Sequence, residues 1–238
     1  MKQGIILAAG LGRRLREITQ HTPKSLIQIN GKPVIEQNIE WMLDSGVDRI
    51  FLVTGYMQER FSYLGQKYPN LQIFFNPDYA TSNTVSSLNI VKDYLTEESY
   101  ITTADIYIAK NIYLDYQDPQ SFYLLRPKTT EKKPDWIAEV NESGRIVSVD
   151  QKGLAGHTYS GVSHWMPAEL AELRILLSKV DWKDERQRNQ YWDELLLPHL
   201  QSICVNACIL QNNADIYEFD DMDDLQRLMN EQQVEVTW

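Results

Sequence analysis

The stretch from Gly4 to Leu26 reads GIILAAGLGRRLREITQHTPKSL. A short apolar run, Ile5 to Leu7, gives way to small residues and the glycines Gly10 and Gly12. Arg13, Arg14 and Arg16 follow, and after a turn come Pro23 and Lys24. Small residues after a strand let backbone N–H groups approach an anion closely, and clustered cations neutralise it. The chemistry is that of a phosphate-binding loop. Charge placement agrees: Met1–Lys32 holds six basic residues and a single acid, Glu17, in a chain of net charge -10. It is not a dinucleotide fingerprint, because Leu15 stands where the third glycine belongs, and it lacks the G-x-x-x-x-G-K-[ST] of a Walker A loop.

Two further groups of residues have chemistry to offer. Tyr100–Thr103 reads as a strand ending in Ala104-Asp105, and a carboxylate at a strand's carboxyl end, near a triphosphate, suits Mg²⁺. A turn-forming role is the plainer alternative for Asp105. In the second half, Trp136, Tyr159, Trp165, Tyr191 and Trp192 lie beside the carboxylates Asp135, Glu139 and Asp193. Core packing explains any one of these rings. As a set they suit a quaternary ammonium, which aromatic faces hold by cation–π attraction and which has no N–H to donate.

The elements that must position these groups follow from periodicity. Ser25–Ile29 is extended and turned by Asn30-Gly31, and Pro33 opens a helix whose apolar face (Val34, Ile35, Ile39, Met42) ends near Gly46. Arg49–Thr54 and Leu71–Phe75 are strands with a helix over 58–67 between them, and Thr81–Leu88 leads into a helix through Tyr94. Strand and helix alternating on short links predict a doubly wound, mainly parallel α/β sheet of Rossmann-like type, with ligands beyond the carboxyl ends of its strands. From Phe122 the pattern turns strand-rich: 122–125, 136–140, 145–149 and 159–165, with Glu142-Ser143-Gly144 as a hairpin turn. The link Pro127–Trp136 is charged. Helices are expected over 167–179 and 189–200, strands over 204–210 and 216–219, and a closing helix over 221–231. The expectation is a single domain over 1–238, with 1–120 mainly nucleotide-binding and 121–238 mainly acceptor-binding.

Composition bounds the rest. The 238 residues are 43% hydrophobic and 24% charged, as in a globular protein. No apolar run approaches the roughly 18 residues of a membrane span, and no signal-peptide pattern opens the chain, so a cytoplasmic location is expected. The acidic balance argues against nucleic-acid partners. Two cysteines, Cys204 and Cys208, are expected as packed thiols rather than a zinc site.

The pattern L-A-A-G-x-G-x-R-L-x-x-x-T-x-x-x-P-K, carried by Leu7, Ala8, Ala9, Gly10, Gly12, Arg14, Leu15, Thr19, Pro23 and Lys24, resembles the signature of nucleotidyltransferases that activate phosphorylated small molecules with a nucleoside triphosphate. Glu17 departs from it, standing where most members have proline. The blocks around Trp136, Tyr159–Trp165 (YSGVSHW) and Tyr191–Asp193 (YWD) resemble the bacterial CTP:phosphocholine cytidylyltransferases. The resemblance implies CMP transfer from CTP to phosphocholine with Mg²⁺ on Asp105 and Asp220, although Asp220 is equally placed to cap the last helix. It implies Arg14 on the β- and γ-phosphates and Lys24 on the α-phosphate and acceptor. Leu7, Ala8, Ala9, Gly10, Gly12, Asn83 and Ser87 would contact the nucleotide, and Trp136, Glu139, Lys152, Tyr159, Tyr191 and Trp192 the acceptor. Phosphoethanolamine, 2-aminoethylphosphonate or a sugar 1-phosphate stays open as acceptor, as do a non-catalytic nucleotide-binding role and pairing as a homodimer.

Overall fold

The structure, a computed structural model, describes residues 1–128 and 133–238, with the Arg16 side chain also outside the described set. The charged link after Pro127 and the Arg16 member of the basic cluster therefore lie in part outside the described residues.

Alternation along the first strand shows how the sheet is buried. In Lys2–Ala8, Ile5 and Leu7 enter one apolar cluster while Ile6 and Ala8 enter another on the opposite face. Arg49–Thr54 repeats this, with Phe51 and Val53 against one face and Ile50 and Leu52 against the other. Both faces need covering, and helices supply it. Val34–Asp44 contributes Ile35, Ile39 and Met42 to one side, and Thr84–Ile90 and Pro167–Ser178 contribute Val85, Leu88, Leu170, Leu173 and Leu177 to the other.

Leu71–Phe75, Arg49–Thr54, Lys2–Ala8 and Glu98–Thr103 pair in parallel in that order. His157–Trp165 then adds antiparallel, followed by Phe122–Pro127 and Asn206–Ile209. The sheet is doubly wound, mixed and mostly parallel, as the alternation predicts. Its two sequence halves share one hydrogen-bonded surface through Glu98–Thr103 and His157–Trp165.

Gly161 marks the place where that surface branches. Thr158 pairs with Ile137 of the Asp135–Val140 strand, whereas Val162 to Trp165 pair with Thr102 to Ser99, and the register slips between Tyr159 and Ser163. Gly161 has φ +84°, which a side chain tolerates poorly, and a Cβ there would stand 2.9 Å from Thr103 Oγ1. The hairpin of Asp135–Val140 and Ile146–Gly153 splays out at this bulge, above the carboxyl end of Glu98–Thr103.

Two expectations need correction. The helix over 189–200 is absent; the segment forms 3₁₀ turns at Trp192–Leu195 and Leu197–His199, because Pro198 removes a donor and Tyr191 stays extended as a cap. Cys204 is exposed and Cys208 half-buried, since the strand begins only at Asn206 and the segment ahead of it buries Ile203 and Val205 while Cys204 between them faces outward.

Candidate active site

The loop after the first strand is shaped by its own side chains. Gly12 has φ +60°, and Thr19 Oγ1 donates to Gly12 O and Leu15 O, each at 3.1 Å. A Cβ on Gly12 would approach Thr19 Cγ2 to 2.8 Å, so this crossing of the loop needs glycine twice over. Tyr56 clasps the outside, its hydroxyl donating to Thr19 O at 2.7 Å and its amide to Ala9 O at 3.2 Å.

A separate apolar cluster fixes where the loop points. Leu15, Ile18, Ile27 and Val34 pack against Tyr217, Phe219, Leu225 and Leu228 near the end of the chain. That packing brings Lys24 to residues far away in sequence. Its Nζ lies 2.9 Å from Asp105 Oδ2 and 2.7 Å from Asp220 Oδ1, and Arg14 Nη2 is 2.7 Å from Asp220 Oδ2. Lys24 is 11% exposed and Arg14 66% exposed, so the lysine is built into the site while the arginine reaches over it from solvent. Burial alone would lower the Lys24 pKa, but Asp105 and Asp220 outweigh it and raise it. Burial likewise pushes Asp105 up, and Lys24 more than reverses this and holds it below the usual carboxylate range.

Asp220 is free for this role because its neighbour caps the helix. Asp221 Oδ1 accepts from Asp224 N at 3.0 Å in a capping box at the start of Met222–Gln232. The short strand Ile216–Glu218 pairs with Ile106–Ile108, setting Glu218 opposite Ile106 and beside Asp105. Ligand oxygens of Asp105, Glu218 and Asp220 all lie within 4.8 Å of one another. Glu218 did not emerge from the sequence reading. The signal was present in Glu218-x-Asp220, since residues two apart at a strand end share a face. Burial first, then Asp105 and Asp220, push the Glu218 carboxyl up to about 7, while Arg126 acts against them.

Whether this cluster fits a divalent cation can be judged from its atoms. Asp105 Oδ1 is buried with no hydrogen-bond partner among the described residues, which leaves a hard oxygen donor unspent. An all-carboxylate set beside a phosphate-sized space is what a hard divalent cation takes. The residues fit the group.

One cavity is lined by Leu7, Ala8, Ala9, Gly10, Gly12, Arg14, Lys24, Asn83, Ser87, Asp105 and Asp220, all of them candidates from the sequence. The structure adds Asn76, Tyr79, Ser82, Thr84 and Thr103 to its walls. Asn76, which follows the Leu71–Phe75 strand, is buried and organises one wall: its amide donates to Ser86 Oγ at 2.9 Å and Ser87 Oγ at 3.0 Å.

The aromatic group sits next door and is tied to the same wall. Asn83 N donates to Arg188 O at 3.0 Å, and Trp192 N donates to Thr84 Oγ1 at 3.0 Å. Trp136 packs edge-to-face with Tyr159 (6.1 Å between centroids) and with Tyr191 (5.9 Å). Trp136 and Tyr159 are half-buried and Tyr191 is exposed, so three of the predicted rings form one accessible group. Trp192 and Trp165 belong to the core, packing on Tyr123 beneath it. Asp193 is half-buried next to Trp192, its carboxyl pushed up to about 7 by burial; burial first, and then the Asp193 charge, raises the Tyr159 pKa. Glu139 falls on the opposite face of its strand from Trp136, where Ser148 Oγ donates to it. Lys152 is exposed, one residue before the Gly153 that pairs with Asp135. The structure therefore joins Trp136, Tyr159 and Tyr191 directly, and leaves Glu139 and Lys152 on the periphery.

Comparison with known proteins converges on the same chemistry. The nucleotidyl transferase family model matches residues 3–122. Over 227 residues the chain is 34% identical to the choline-phosphate cytidylyltransferase of Streptococcus pneumoniae, covering 95% of this chain and 96% of that one. It is 31% identical over 200 residues to the 2-aminoethylphosphonate cytidylyltransferase of Lancefieldella rimae, covering 84% and 80% of the two chains. The solved structure of CTP:phosphocholine cytidylyltransferase from Streptococcus pneumoniae superposes with a TM-score of 0.88 at 33% identity, over 97% of this chain and 99% of that one. This chain belongs to the nucleotidyl transferase family, with choline-phosphate cytidylyltransferases among the relatives that it matches over nearly its whole length.

Proposed function

We propose that this protein is a choline-phosphate cytidylyltransferase that transfers CMP from CTP to phosphocholine, releasing CDP-choline and pyrophosphate. The observation that carries this reading is the shared wall: Asn83 and Thr84 line the cavity of the glycine loop and are hydrogen-bonded to the segment bearing Tyr191 and Trp192. A triphosphate site and an aromatic group for a cation stand side by side in one chain, so a second copy is not required to complete the site.

The reaction is an in-line displacement. A phosphate oxygen of phosphocholine forms a bond to the α-phosphorus of CTP as the bond to pyrophosphate breaks, and the electron pair leaves with pyrophosphate. The nucleophile is already an anion, so no general base is needed. The protein must hold two anions together and offset the charge that develops. In this reading the amides from Ala8 to Gly12 cradle phosphate oxygens, Arg14 faces the β- and γ-phosphates, and Lys24 faces the α-phosphate. Asp105 and Asp220, with Glu218, would hold Mg²⁺, which when bound supplies positive charge to the phosphates. Ser87 and Asn83 face the nucleoside. Trp136, Tyr159 and Tyr191 surround the trimethylammonium, with Asp193 as the carboxylate beside Trp192. The cytoplasm, where nucleoside triphosphates are supplied, is the compartment this reaction implies.

An acceptor with a primary ammonium is the second reading, favoured by Asp193. Such a group seeks acceptors for three N–H bonds, and rings offer faces instead. Pyrophosphate release measured with CTP, UTP and dTTP against phosphocholine, phosphoethanolamine, 2-aminoethylphosphonate and a sugar 1-phosphate tests both. Preference for CTP with phosphocholine is expected. Preference for an aminoalkyl acceptor overturns the choline assignment, and no release with any pair overturns the enzyme.

A further inference from the structure

In-line displacement fixes where the leaving group goes: pyrophosphate departs on the side of the α-phosphorus opposite the attacking oxygen. The aromatic group takes the acceptor, so pyrophosphate is expected on the side of the glycine loop. The cations available there are unequal. Lys24 is shared by Asp105 and Asp220, and Arg14 is held by Asp220 at 2.7 Å. Arg13 borders the same cavity, yet it is exposed and makes no ion pair or side-chain hydrogen bond among the described residues. It also borders a second recess outside the loop, with Leu11, Thr19, Gln20 and Tyr56. None of Trp136, Tyr159 and Tyr191 borders either space. The backbone that carries Arg13 is fixed even though its head is free. Gly12, the residue before it, is at φ +60°, and Gly12 O accepts from Leu15 N at 3.0 Å and Thr19 Oγ1 at 3.1 Å. An uncommitted guanidinium thus hangs from a rigid base at the edge of the cavity.

We propose that Arg13 holds the terminal phosphates of the nucleotide and the pyrophosphate that leaves, a role that rests on the transfer reaction given above. A guanidinium stays charged, and its fork of N–H donors matches two phosphate oxygens. What Arg14 gains from a phosphate is reduced by the contact with Asp220 that it must give up or share. Arg13 gives up only water. Charge on the pyrophosphate side grows as the bond to the α-phosphorus breaks, so a cation there is worth more in the transition state than in the bound triphosphate. Exposure limits its size: solvent and salt screen this guanidinium, so it contributes less than the buried Lys24 and loses effect as ionic strength rises. The role concerns only the phosphates beyond the α-phosphorus and leaves the CMP part and the acceptor to the rest of the site.

The test is calorimetric titration of the full chain with pyrophosphate, CTP, CMP and CDP-choline in turn, with no acceptor beside CTP so that nothing turns over. Pyrophosphate and CTP carry the phosphates that leave; CMP and CDP-choline do not. Arg13→Gln is expected to weaken pyrophosphate and CTP about 5- to 10-fold at low ionic strength, the worth of a charge-assisted hydrogen bond at an exposed site, with CMP and CDP-choline unchanged. The deficit shrinks as salt rises. Arg13→Lys keeps the charge, loses the fork and falls between. Arg60→Gln controls for net charge: Arg60 is also exposed, donates to His21 O at 3.1 Å and borders neither space. Equal weakening of pyrophosphate in Arg60→Gln and Arg13→Gln overturns the proposal, since a diffuse field would then account for both. Unchanged pyrophosphate binding in Arg13→Gln overturns it too, as does equal weakening of CMP, which would mean that the loop itself has shifted. A wild-type chain that binds CMP and CDP-choline but not pyrophosphate overturns the role of Arg13 alone, whereas one that binds none of the four overturns the transfer reaction with it.

Discussion

Replacing Lys24 with alanine removes one ammonium that two carboxylates share at 2.9 and 2.7 Å. Two consequences follow, and they carry different signatures. The first is stability. Removing one partner of a buried ion pair costs about 3–5 kcal/mol, but Asp105 and Asp220 are 30% and 23% exposed and solvent offsets part of the loss, so about 1–3 kcal/mol is expected. The pH dependence has a defined sign. The Lys24 pKa is raised above 10.5 in the folded state, so its contribution is complete below that value and is lost as pH rises through the folded one. The Asp105 pKa is lowered from 3.8, so its contribution is present above that value and is lost as pH falls through the folded one. Urea melts of wild type and variant should therefore differ most through the neutral range, where Glu218 titrates beside the same carboxylates, and converge at both ends. Added Mg²⁺ should stabilise the variant more than the wild type, because three clustered carboxylates have lost their lysine. The second consequence is rate. Loss of a positioned donor to the reacting phosphates should lower turnover by roughly 10²–10³-fold, read by pyrophosphate release at saturating CTP and acceptor. A variant with turnover within a few-fold of wild type, or with unchanged melts across pH 5–9, would refute the reasoning.

Three other outcomes are expected. Trp136→Leu should raise the KM for phosphocholine by about 3- to 30-fold, the range of one cation–π contact, and leave the KM for CTP unchanged, as steady-state kinetics will show. Gly12→Ala should abolish turnover and lower stability by about 1–2 kcal/mol in urea melts, since its φ is +60° and the new methyl would meet Thr19 Cγ2 at 2.8 Å. Glu98 accepts from the buried His164 at 2.9 Å and from Lys2 at 3.0 Å; burial pushes its carboxyl up, but these partners prevail and hold it below 4.5. The stability it contributes is present above that value and lost as pH falls through the folded one, so Glu98→Gln should be less stable than wild type at pH 7, with the gap in Tm closing as pH falls below 4.5.

The parts of the site legible in sequence were those that local rules position. The glycine loop follows a strand, and Asp105 ends one, so alternation and strand–loop order placed both at the same edge of a parallel sheet. Asn30-Gly31 and Gly144 announced their turns in the same way, and the structure has φ +51°, +77° and +84° there. Residues that depend on tertiary register were harder. Glu218 joins the carboxylates only because Ile216–Glu218 pairs with Ile106–Ile108, a contact between distant segments. Trp192 and Tyr191 are adjacent in sequence, yet one is 5% exposed and the other 49% exposed, because Tyr191 is the extended cap of the 3₁₀ turn that begins at Trp192. Glu139 looked like a companion of Trp136, but three residues along a strand is an odd number and reverses the face. Arg126 carried no motif at all, and its ion pair with Glu218 appears only with the sheet assembled.

The most direct test of the transfer reaction is to incubate the protein with CTP, phosphocholine and Mg²⁺ and follow phosphorus by ³¹P NMR. The prediction is loss of the CTP and phosphocholine signals with equal gain of pyrophosphate and of a diphosphate diester, CDP-choline, abolished in Lys24→Ala and Asp105→Asn. Unchanged spectra with phosphocholine and every other acceptor named above, or release of inorganic phosphate in place of pyrophosphate, would contradict it.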